Sequence, residues 1–204
     1  MRVVIAGGHS AVGKHLAAGL TSRGHTVFAL VPTGHHHAAV RPTGAHPVTL
    51  DPGGRALAET LPLADAVVYT AGTTRGPDNR PGELTYAAAL DSIGVRRYLV
   101  LTTNPPAHSD SDTPERTSYL AERAATEEAI TAHDLDWTFV HAAPLADTPP
   151  TGLVSLSPSP ARISRADVAA VLAALIPAAW SHRASVDLGP GDTPIAEAVA
   201  RARR

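Results

Sequence analysis

Several residue types are scarce in this chain, and each scarcity excludes a kind of chemistry. Cysteine is absent from the 204 residues, which excludes disulfide bonds, thiolate metal ligands and a cysteine nucleophile. Lys14 is the only lysine, so a catalytic lysine elsewhere in the chain is excluded. With only two Trp, two Phe and four Tyr, the composition argues against a pocket built to stack large ring systems.

Long apolar runs and strong charge asymmetry are missing as well. No run approaches the roughly 18 apolar residues of a membrane span, and no secretory signal is recognisable, so we expect a soluble, cytoplasmic protein without membrane contact. The net charge is −2, and the arginines are scattered except at Arg201, Arg203 and Arg204, which leaves no basic stripe for nucleic acid. The length predicts a single domain over residues 1–204.

Short apolar runs alternate with segments of helical spacing along most of the chain. This alternation predicts an α/β fold, a Rossmann-like doubly wound parallel sheet with helices on both faces. The predicted strands are 3–6, 27–31, 48–50, 66–69, 98–101, 138–140 and 186–188, and the predicted helices are 12–20, 56–61, 84–93, 120–130 and 168–176, with a closing helix near Pro194.

Two stretches rich in Pro, Ser and Asp interrupt the alternation, residues 103–114 and 144–161. Each follows the carboxyl end of a predicted strand, the side on which open α/β sheets bind ligands. Both are therefore candidate lids over a small-molecule substrate. For the first stretch, a poorly ordered surface excursion is an equal alternative.

The first predicted strand ends in a glycine-rich turn, Gly7-Gly8-His9-Ser10-Ala11-Val12-Gly13, that opens a helix. Strand, glycine turn, helix and second strand form the start of a dinucleotide-binding fold, in which amides at a helix start hold a pyrophosphate. Gly7 would allow the turn and Gly13 the close packing of the helix, while the amides of residues 9–12 would donate to the phosphates. The alternative is a plain strand-to-helix turn.

The segment VVIAGGHSAVGKHLAAGLTSRGHTVFALV resembles the atypical short-chain dehydrogenase/reductases with an NAD(P)H-binding, NmrA-like domain. Nearly the whole chain shares the family's landmarks in order, which are Asp51, Thr70-Ala71-Gly72, Gly94-Val95-Arg96-Arg97-Tyr98, Leu135-Asp136-Trp137-Thr138-Phe139-Val140, Ile163-Ser164-Arg165-Ala166-Asp167-Val168-Ala169 and Gly191-Asp192-Thr193-Pro194-Ile195. The resemblance implies a nicotinamide dinucleotide cofactor bound beside Ala71 and Gly72. It places Asp51 at the adenine amino group, although Asp51 is alternatively an ordinary turn acid.

Ser10 departs from this family, which usually has glycine there because the backbone comes closest to the phosphates. Either the Ser10 hydroxyl would donate a hydrogen bond to a phosphate, or the Ser10 Cβ would push the cofactor away. At the end of the second strand, an acid would select NAD and an arginine NADP, but Pro32 stands in place of the family's arginine. Because no acid is present to repel a 2′-phosphate, and the run His35-His36-His37 and Arg41 are close by, the sequence favours NADP, with NAD as the alternative.

The same histidine run does not predict a metal site. Adjacent histidines cannot all face one ion from a regular element, and no acid in the neighbouring loop completes a ligand set. A solvated loop, or contact with the adenosine phosphate, is the expected role of His35, His36 and His37.

Short-chain reductases typically use Tyr-x-x-x-Lys with a Ser or Thr at the end of the fifth strand, a set that many atypical members have lost. The matching residues here are Tyr119 and Arg123, with Thr102 and Thr103 as hydroxyl candidates. Tyr119 and Arg123 share a helix face, but arginine is forked and permanently charged and does not simply replace lysine. Tyr119 is therefore either a proton donor or a tyrosine packed on the sheet.

His141 follows the sixth predicted strand, where the family usually has a Val-Arg-Pro-Gly type of ending. We expect it at the carboxyl edge near the nicotinamide, and histidine is the side chain best suited to acid–base chemistry near neutrality. It is a candidate general acid or base, or else a histidine that caps the strand through the backbone. Arg165 and Asp167 are expected to be a helix-start acid and its surface partner.

Three functions are compatible with these features. The first is an NAD(P)-dependent oxidoreductase that acts on a small organic substrate. The second is a non-redox enzyme on the same fold, a cyclase, isomerase or dehydratase that uses His141 or Tyr119. The third is a nucleotide-sensing regulatory protein, because fold alone does not fix function. The sequence leaves open whether the chain is a monomer or a homodimer.

Overall fold

A computed structural model describes residues 1–71, 82–103 and 114–202. Every predicted strand and helix is present, with ends that shift by a few residues. The elements are β1 (Arg2–Ala6), α1 (Ala11–Thr21), β2 (Thr26–Val31), α2 (His37–Val40), β3 (His46–Thr49), α3 (Arg55–Thr60), β4 (Ala66–Tyr69), α4 (Glu83–Ile93), β5 (Arg97–Thr103), α5 (Pro114–Thr131), β6 (Asp136–Ala142), β7 (Leu145–Ala146), β8 (Leu153–Ser155), β9 (Ile163–Ser164), α6 (Arg165–Leu175), β10 (Ala184–Pro190), β11 (Thr193–Pro194) and α7 (Ile195–Arg201).

A mostly parallel sheet forms the centre of the fold, in the order β11-β8-β10-β6-β5-β4-β1-β2-β3. The seven predicted strands pair in parallel, and β8 and β11 extend the sheet in antiparallel fashion. This confirms the predicted doubly wound, Rossmann-like α/β fold. The strand order reverses between β1 and β4, and ligands of such sheets bind at the carboxyl ends of the strands beside this reversal.

Apolar side chains cover both faces of the sheet, which explains why its central strands are almost continuously hydrophobic. On β1, Val3 and Ile5 join the core beneath α1 and α6, whereas Val4 and Ala6 join the opposite core. The second core and the residues packed against it contain most of the chain's aromatic rings, namely Phe28, Tyr69, Tyr86, Tyr98, Trp137 and Phe139. The few aromatic residues therefore mainly fill the interior.

The stretch 144–161 is not the open loop that its composition predicts. It contains β7 and β8, and β8 pairs with both β10 and β11. Asp167, predicted at the surface, is only 2% exposed, and its carboxylate accepts hydrogen bonds from the amides of Thr151 and Gly152. The Nη1 atom of Arg165 lies instead 2.7 Å from Oδ1 of Asp147. The surface pairing of Arg165 with Asp167 is thus wrong, because the loop amides require a buried acceptor.

The other candidate lid, residues 103–114, lies largely outside the described residues, and its role stays a prediction. Among the residues that the structure describes, no helix is both long enough and apolar enough to cross a membrane.

At the amino edge of the sheet, Arg97 on β5 is buried yet makes five hydrogen bonds. Its guanidinium donates to the carbonyls of Leu175 and Ile176 at the end of α6, to the carbonyl of Asp136, and to the hydroxyls of Thr138 and Ser181. Burial lowers the pKa of Arg97 to about 10, and the charge of Asp136 opposes that shift. Arg97 therefore ties β5, β6 and the end of α6 together.

Candidate active site

The turn between β1 and α1 is compact because glycine occupies its critical positions. Gly7 has φ +81°, and a Cβ there would lie 2.7 Å from Ala71 Cα at the end of β4. A Cβ on Gly13 would lie 2.6 Å from the carbonyl oxygen of Gly7. These contacts agree with the roles predicted for Gly7 and Gly13, a tight turn and a closely packed helix. Ala71 borders the turn, and Gly72 lies outside the described residues.

The start of α1 offers backbone donors to a ligand. Within the described part of the chain, the amides of Ala11 and Val12 have no recorded acceptor, whereas the Ser10 amide donates to the Gly7 carbonyl. Helix starts carry such unpaired donors and a partial positive charge, which together favour phosphate groups. The donor set therefore fits the pyrophosphate of a dinucleotide.

The Ser10 hydroxyl faces the protein interior. Ser10 is 4% exposed, and its Oγ accepts a hydrogen bond of 2.9 Å from the Gly13 amide, which caps α1. The Thr70 hydroxyl lies 3.3 Å from the same oxygen and itself donates to the carbonyls of Ala6 and Gly7. The side chain that departs from the family thus stabilises the turn from within.

After β2, the structure brings together two histidines that are distant in sequence. The rings of His9 and His36 stack with centroids 4.3 Å apart and an interplanar angle of 9°. His37 Nε2 lies 2.8 Å from Thr49 Oγ1, while His35 is exposed and Pro32 is half-buried. The His9–His36 contact escaped sequence reasoning, because no local pattern links the two positions.

Asp51 follows β3 as predicted and lies four residues before the start of α3. Its carboxylate accepts hydrogen bonds from the amides of Ala56 (2.6 Å) and Arg55 (3.1 Å), and these bonds lower its pKa. This geometry is that of the turn acid considered as the alternative. The adenine contact of Asp51 stays a prediction.

At the carboxyl edge, adjacent strands place three polar side chains on one face of the sheet. His141 on β6 is in register with Thr102 on β5 and with Asp187 on β10. Thr102 is buried, and its hydroxyl lies 3.4 Å from the carbonyl oxygen of Val140. The structure thus brings Thr102 and His141 together at the predicted edge.

Carboxylates flank the His141 ring on both sides. Nε2 lies 3.0 Å from Glu127 Oε1, and Nδ1 lies 3.7 Å from Asp187 Oδ1. The recorded partners of the ring are side chains, so the strand-capping alternative through the backbone gains no support. Because groups that gain and lose protons surround the ring, the arrangement is suited to proton transfer.

Helix α5 contributes a stripe of residues at four-residue spacing, Tyr119, Arg123 and Glu127. Arg123 Nε donates to Glu127 Oε1 over 3.0 Å, and both side chains are less than one-fifth exposed. The Tyr119 side chain lies outside the described part of the structure, so its role as an acid stays a prediction. Glu127 was missed by sequence reasoning, although its spacing from Arg123 carried the signal.

The pKa values of two carboxyl groups in this cluster shift in opposite directions. Burial acts to raise the pKa of Glu127, but hydrogen bonds from His141 and Arg123 outweigh it and lower the pKa overall. For Glu83, the first residue of α4, burial and then the charge of Glu127 raise the pKa, against the charge of Arg123. The cluster therefore combines a stabilised carboxylate with a carboxyl group that retains its proton more readily.

Comparison with known proteins decides the family of this chain. The sequence profile of a family described as NAD(P)H-binding matches residues 7–178. The chain belongs to this NAD(P)H-binding family. Its members have the fold and the atypical short-chain, NmrA-like character that the glycine turn indicates, and they bind a nicotinamide cofactor.

The chain is similar to proteins whose names describe epimerases and to a structure named as an oxidoreductase. The uncharacterized sugar epimerase YhfK of Bacillus subtilis (strain 168) is 27% identical over 144 residues, which cover 66% of this chain and 67% of that protein. A Bacillus halodurans structure named as an NAD-dependent epimerase/dehydratase superposes with TM-score 0.82 at 25% identity. The match covers 98% of this chain and 99% of that one. The Lactococcus lactis oxidoreductase ylbE has the same fold, with TM-score 0.81, 20% identity and coverages of 98% and 96%.

Proposed function

We propose that this protein is an NADP-dependent oxidoreductase that acts on a small organic substrate at the carboxyl edge of β5 and β6. The observation that carries the proposal is the position of two features on one edge. The amides of Ala11 and Val12 follow β1, and the Thr102–His141 pair ends β5 and β6. In the sheet, β1 and β6 are three strand spacings apart, which is about 14 Å. This distance suits a dinucleotide whose phosphates lie at the end of β1 and whose nicotinamide lies at the ends of β5 and β6.

Each group has a distinct role in the proposed reaction. A reduced nicotinamide cofactor held by the turn after β1 would supply a hydride for the substrate carbon. The protein must then supply the proton that the substrate oxygen or nitrogen takes up, and His141 is the proposed donor. Thr102 would orient the substrate atom that receives the proton, and Tyr119 is a second candidate for the donor.

NADP is the proposed cofactor because the residues after β2 offer no carboxylate that would repel a 2′-phosphate. Pro32, which directly follows β2, is half-buried, and the stacked rings of His9 and His36 lie at the same carboxyl edge of the sheet. NAD is the alternative that a direct comparison of affinities would detect.

Binding and turnover test the proposal in sequence. Fluorescence and calorimetric titrations should show binding of NADPH, with weaker binding of NADH, and a screen of carbonyls, enones and imines should then find turnover. The His141→Gln variant should lower kcat by about 10²-fold or more without loss of nucleotide affinity.

The control for that variant is His133→Gln, because His133 lies at the opposite end of α5 and β6 and also pairs with a carboxylate, Asp91, at 2.9 Å. Absence of binding by both nucleotides would refute the proposal. Binding without turnover on any substrate class would instead favour a nucleotide-sensing protein.

A non-redox enzyme, such as an isomerase or dehydratase, is the second candidate. The observation in its favour is that an imidazole between Glu127 and Asp187 can move protons without a hydride. Exchange of a substrate proton with deuterated water, dependent on His141 but independent of the redox state of the nucleotide, would support this candidate over the first.

A further inference from the structure

We infer that Glu127 holds a proton on Nε2 of His141, so that Nδ1, on the Asp187 side, is the nitrogen that exchanges protons. Glu127 would then be a positioning residue that fixes the tautomer and the orientation of the ring. The consequence for catalysis rests on the proposed function, whereas the assignment of the proton does not.

The argument begins with the single oxygen that two donors share. Glu127 Oε1 lies 3.0 Å from Arg123 Nε and 3.0 Å from His141 Nε2. An ionised carboxylate only accepts hydrogen bonds, so the ring nitrogen that faces it must carry the hydrogen. A neutral histidine carries one ring proton, and Nδ1 is then left with its lone pair.

Arg123 keeps Glu127 in the ionised form that this argument requires. The Arg123 guanidinium is held beside the carboxylate with only 13% of its side chain exposed, and a nearby positive charge favours the ionised form of a carboxyl group. The hydrogen bonds from His141 and from Arg123 together keep the pKa of Glu127 below its ordinary value despite burial. In this arrangement Arg123 acts on His141 through Glu127.

The Nδ1 side of the ring is arranged differently. Asp187 Oδ1 is 3.7 Å away, which is too long for a direct hydrogen bond but close enough to attract a proton on Nδ1. The Asp187 side chain is 39% exposed, against 19% for Glu127, so the Nδ1 side is the one nearer to water. Nδ1 would therefore first take up a proton from solvent through Asp187, which converts His141 to the imidazolium. It would then give that proton to the substrate and return to the neutral Nε2–H form.

The surroundings of the ring include charged groups from several elements. Glu127 and Arg123 belong to α5, Asp187 to β10, and Glu83 at the start of α4 interacts electrostatically with both α5 residues. Thr102 on β5 adds an uncharged hydroxyl. Among these groups, only Glu127 is at hydrogen-bond distance from a ring nitrogen in the described residues, which is why it should decide the tautomer.

Nuclear magnetic resonance can test the assignment without cofactor or substrate. In ¹⁵N-labelled protein, long-range proton–nitrogen correlations identify the protonated nitrogen of each neutral histidine, and His141→Gln identifies the signals of His141. We expect the Nε2–H form in the wild type. An Nδ1–H form would overturn the inference without any need for a variant.

Variants then test whether Glu127 is the cause. Glu127→Leu removes the acceptor and should shift His141 to a mixture of tautomers. Glu127→Gln should preserve the Nε2–H form, because Arg123 fixes the amide oxygen toward both donors. The matched control is Glu128→Leu, an exposed neighbour on α5 that should change nothing. An unchanged tautomer in a folded Glu127→Leu variant would overturn the inference.

The kinetic consequence can be measured once a reaction is known. Glu127→Leu should lower kcat by about tenfold, because part of the population has the wrong tautomer and the ring loses its fixed orientation, with KM and nucleotide affinity within about twofold of the wild type. Glu127→Gln should restore most of the lost rate. A wild type without turnover would count against the proposed function and leave the tautomer result standing, so the two failures are distinguishable.

Discussion

The two edges of the sheet each contain a polar side chain among their strands, buried at the amino edge and half-buried at the carboxyl edge, and they differ in how that side chain is satisfied. At the amino edge, Arg97 makes five hydrogen bonds, three of them to backbone carbonyls. At the carboxyl edge, His141 meets ionisable side chains, and its Nδ1 atom is beyond hydrogen-bond distance of Asp187. A fully satisfied group stabilises the fold, whereas a group with spare capacity can take part in chemistry.

The difference follows from the direction of the peptide chain. Helices of a parallel α/β sheet end at its amino edge, where unpaired carbonyls attract a cation such as Arg97. They begin at its carboxyl edge, where unpaired amides attract an anion, as at Ala11 and Val12. The same backbone polarity thus predicts a structural cation at one edge and a nucleotide phosphate at the other.

The largest expected effect tests the structural edge. Arg97→Leu would remove five hydrogen bonds, among them the one to the Ile176 carbonyl and those to two hydroxyls, and should reduce the free energy of unfolding by about 3 kcal/mol or more. Urea denaturation measures this loss. Arg96→Leu is the matched control, because Arg96 is 45% exposed in its pairs with Asp134 and Asp136 and should cost less than about 1 kcal/mol. Similar losses for both variants would contradict the comparison.

A smaller effect is expected at the phosphate turn. Gly13→Ala places a methyl group against the Gly7 carbonyl and should cost about 1–3 kcal/mol of unfolding free energy, together with a clear loss of nucleotide affinity. Gly19→Ala is the control on the same helix, where a Cβ meets nothing within 4 Å, and it should stabilise by about 0.5–1 kcal/mol. Thermal melts should show stability changes of opposite sign for the two variants. Nucleotide titrations should show the loss of affinity for Gly13→Ala.

Ser10 gives a third and weaker test. Ser10→Ala removes the cap of α1 and should cost about 1 kcal/mol, whereas Ser10→Gly should cost only a few tenths. Because the hydroxyl faces inward, nucleotide affinity should change by less than about threefold in the glycine variant. A tenfold loss of affinity in Ser10→Ala, with stability unchanged, would mean that the hydroxyl contacts a phosphate.

The smallest effect concerns the pH dependence at Glu83. Its raised pKa means that the folded state holds this proton more tightly than the unfolded state, so the contribution to stability is complete below the ordinary value of 4.5 and is lost as the pH rises through the raised value. Glu83→Gln cannot ionise and should therefore gain stability relative to the wild type between pH 4.5 and neutrality. Equal melting temperatures across that range would contradict the burial argument.

The sequence was sufficient to predict the sheet because each strand is a short apolar run and each helix has its own spacing. It also located Thr102 and His141 at one edge, since both end predicted strands. It could not predict Glu127 or Asp187 beside His141, because those contacts depend on strand register and on the rotation of α5. The burial of Asp167 and the pairing of β8 were missed for the same reason. The stretch around β8 is rich in Pro and Ser, and it forms a strand only because β10 and β11 pair with it.

Both outermost strands of the nine-stranded sheet contain proline, Pro47 on β3 and Pro194 on β11. Proline lacks the N–H group that an approaching strand would need, and an exposed strand edge is otherwise a template for intermolecular pairing. The margins of the sheet are therefore poor seeds for aggregation. A cell that accumulates this protein at high concentration would gain protection from two residues that lie far from any chemistry.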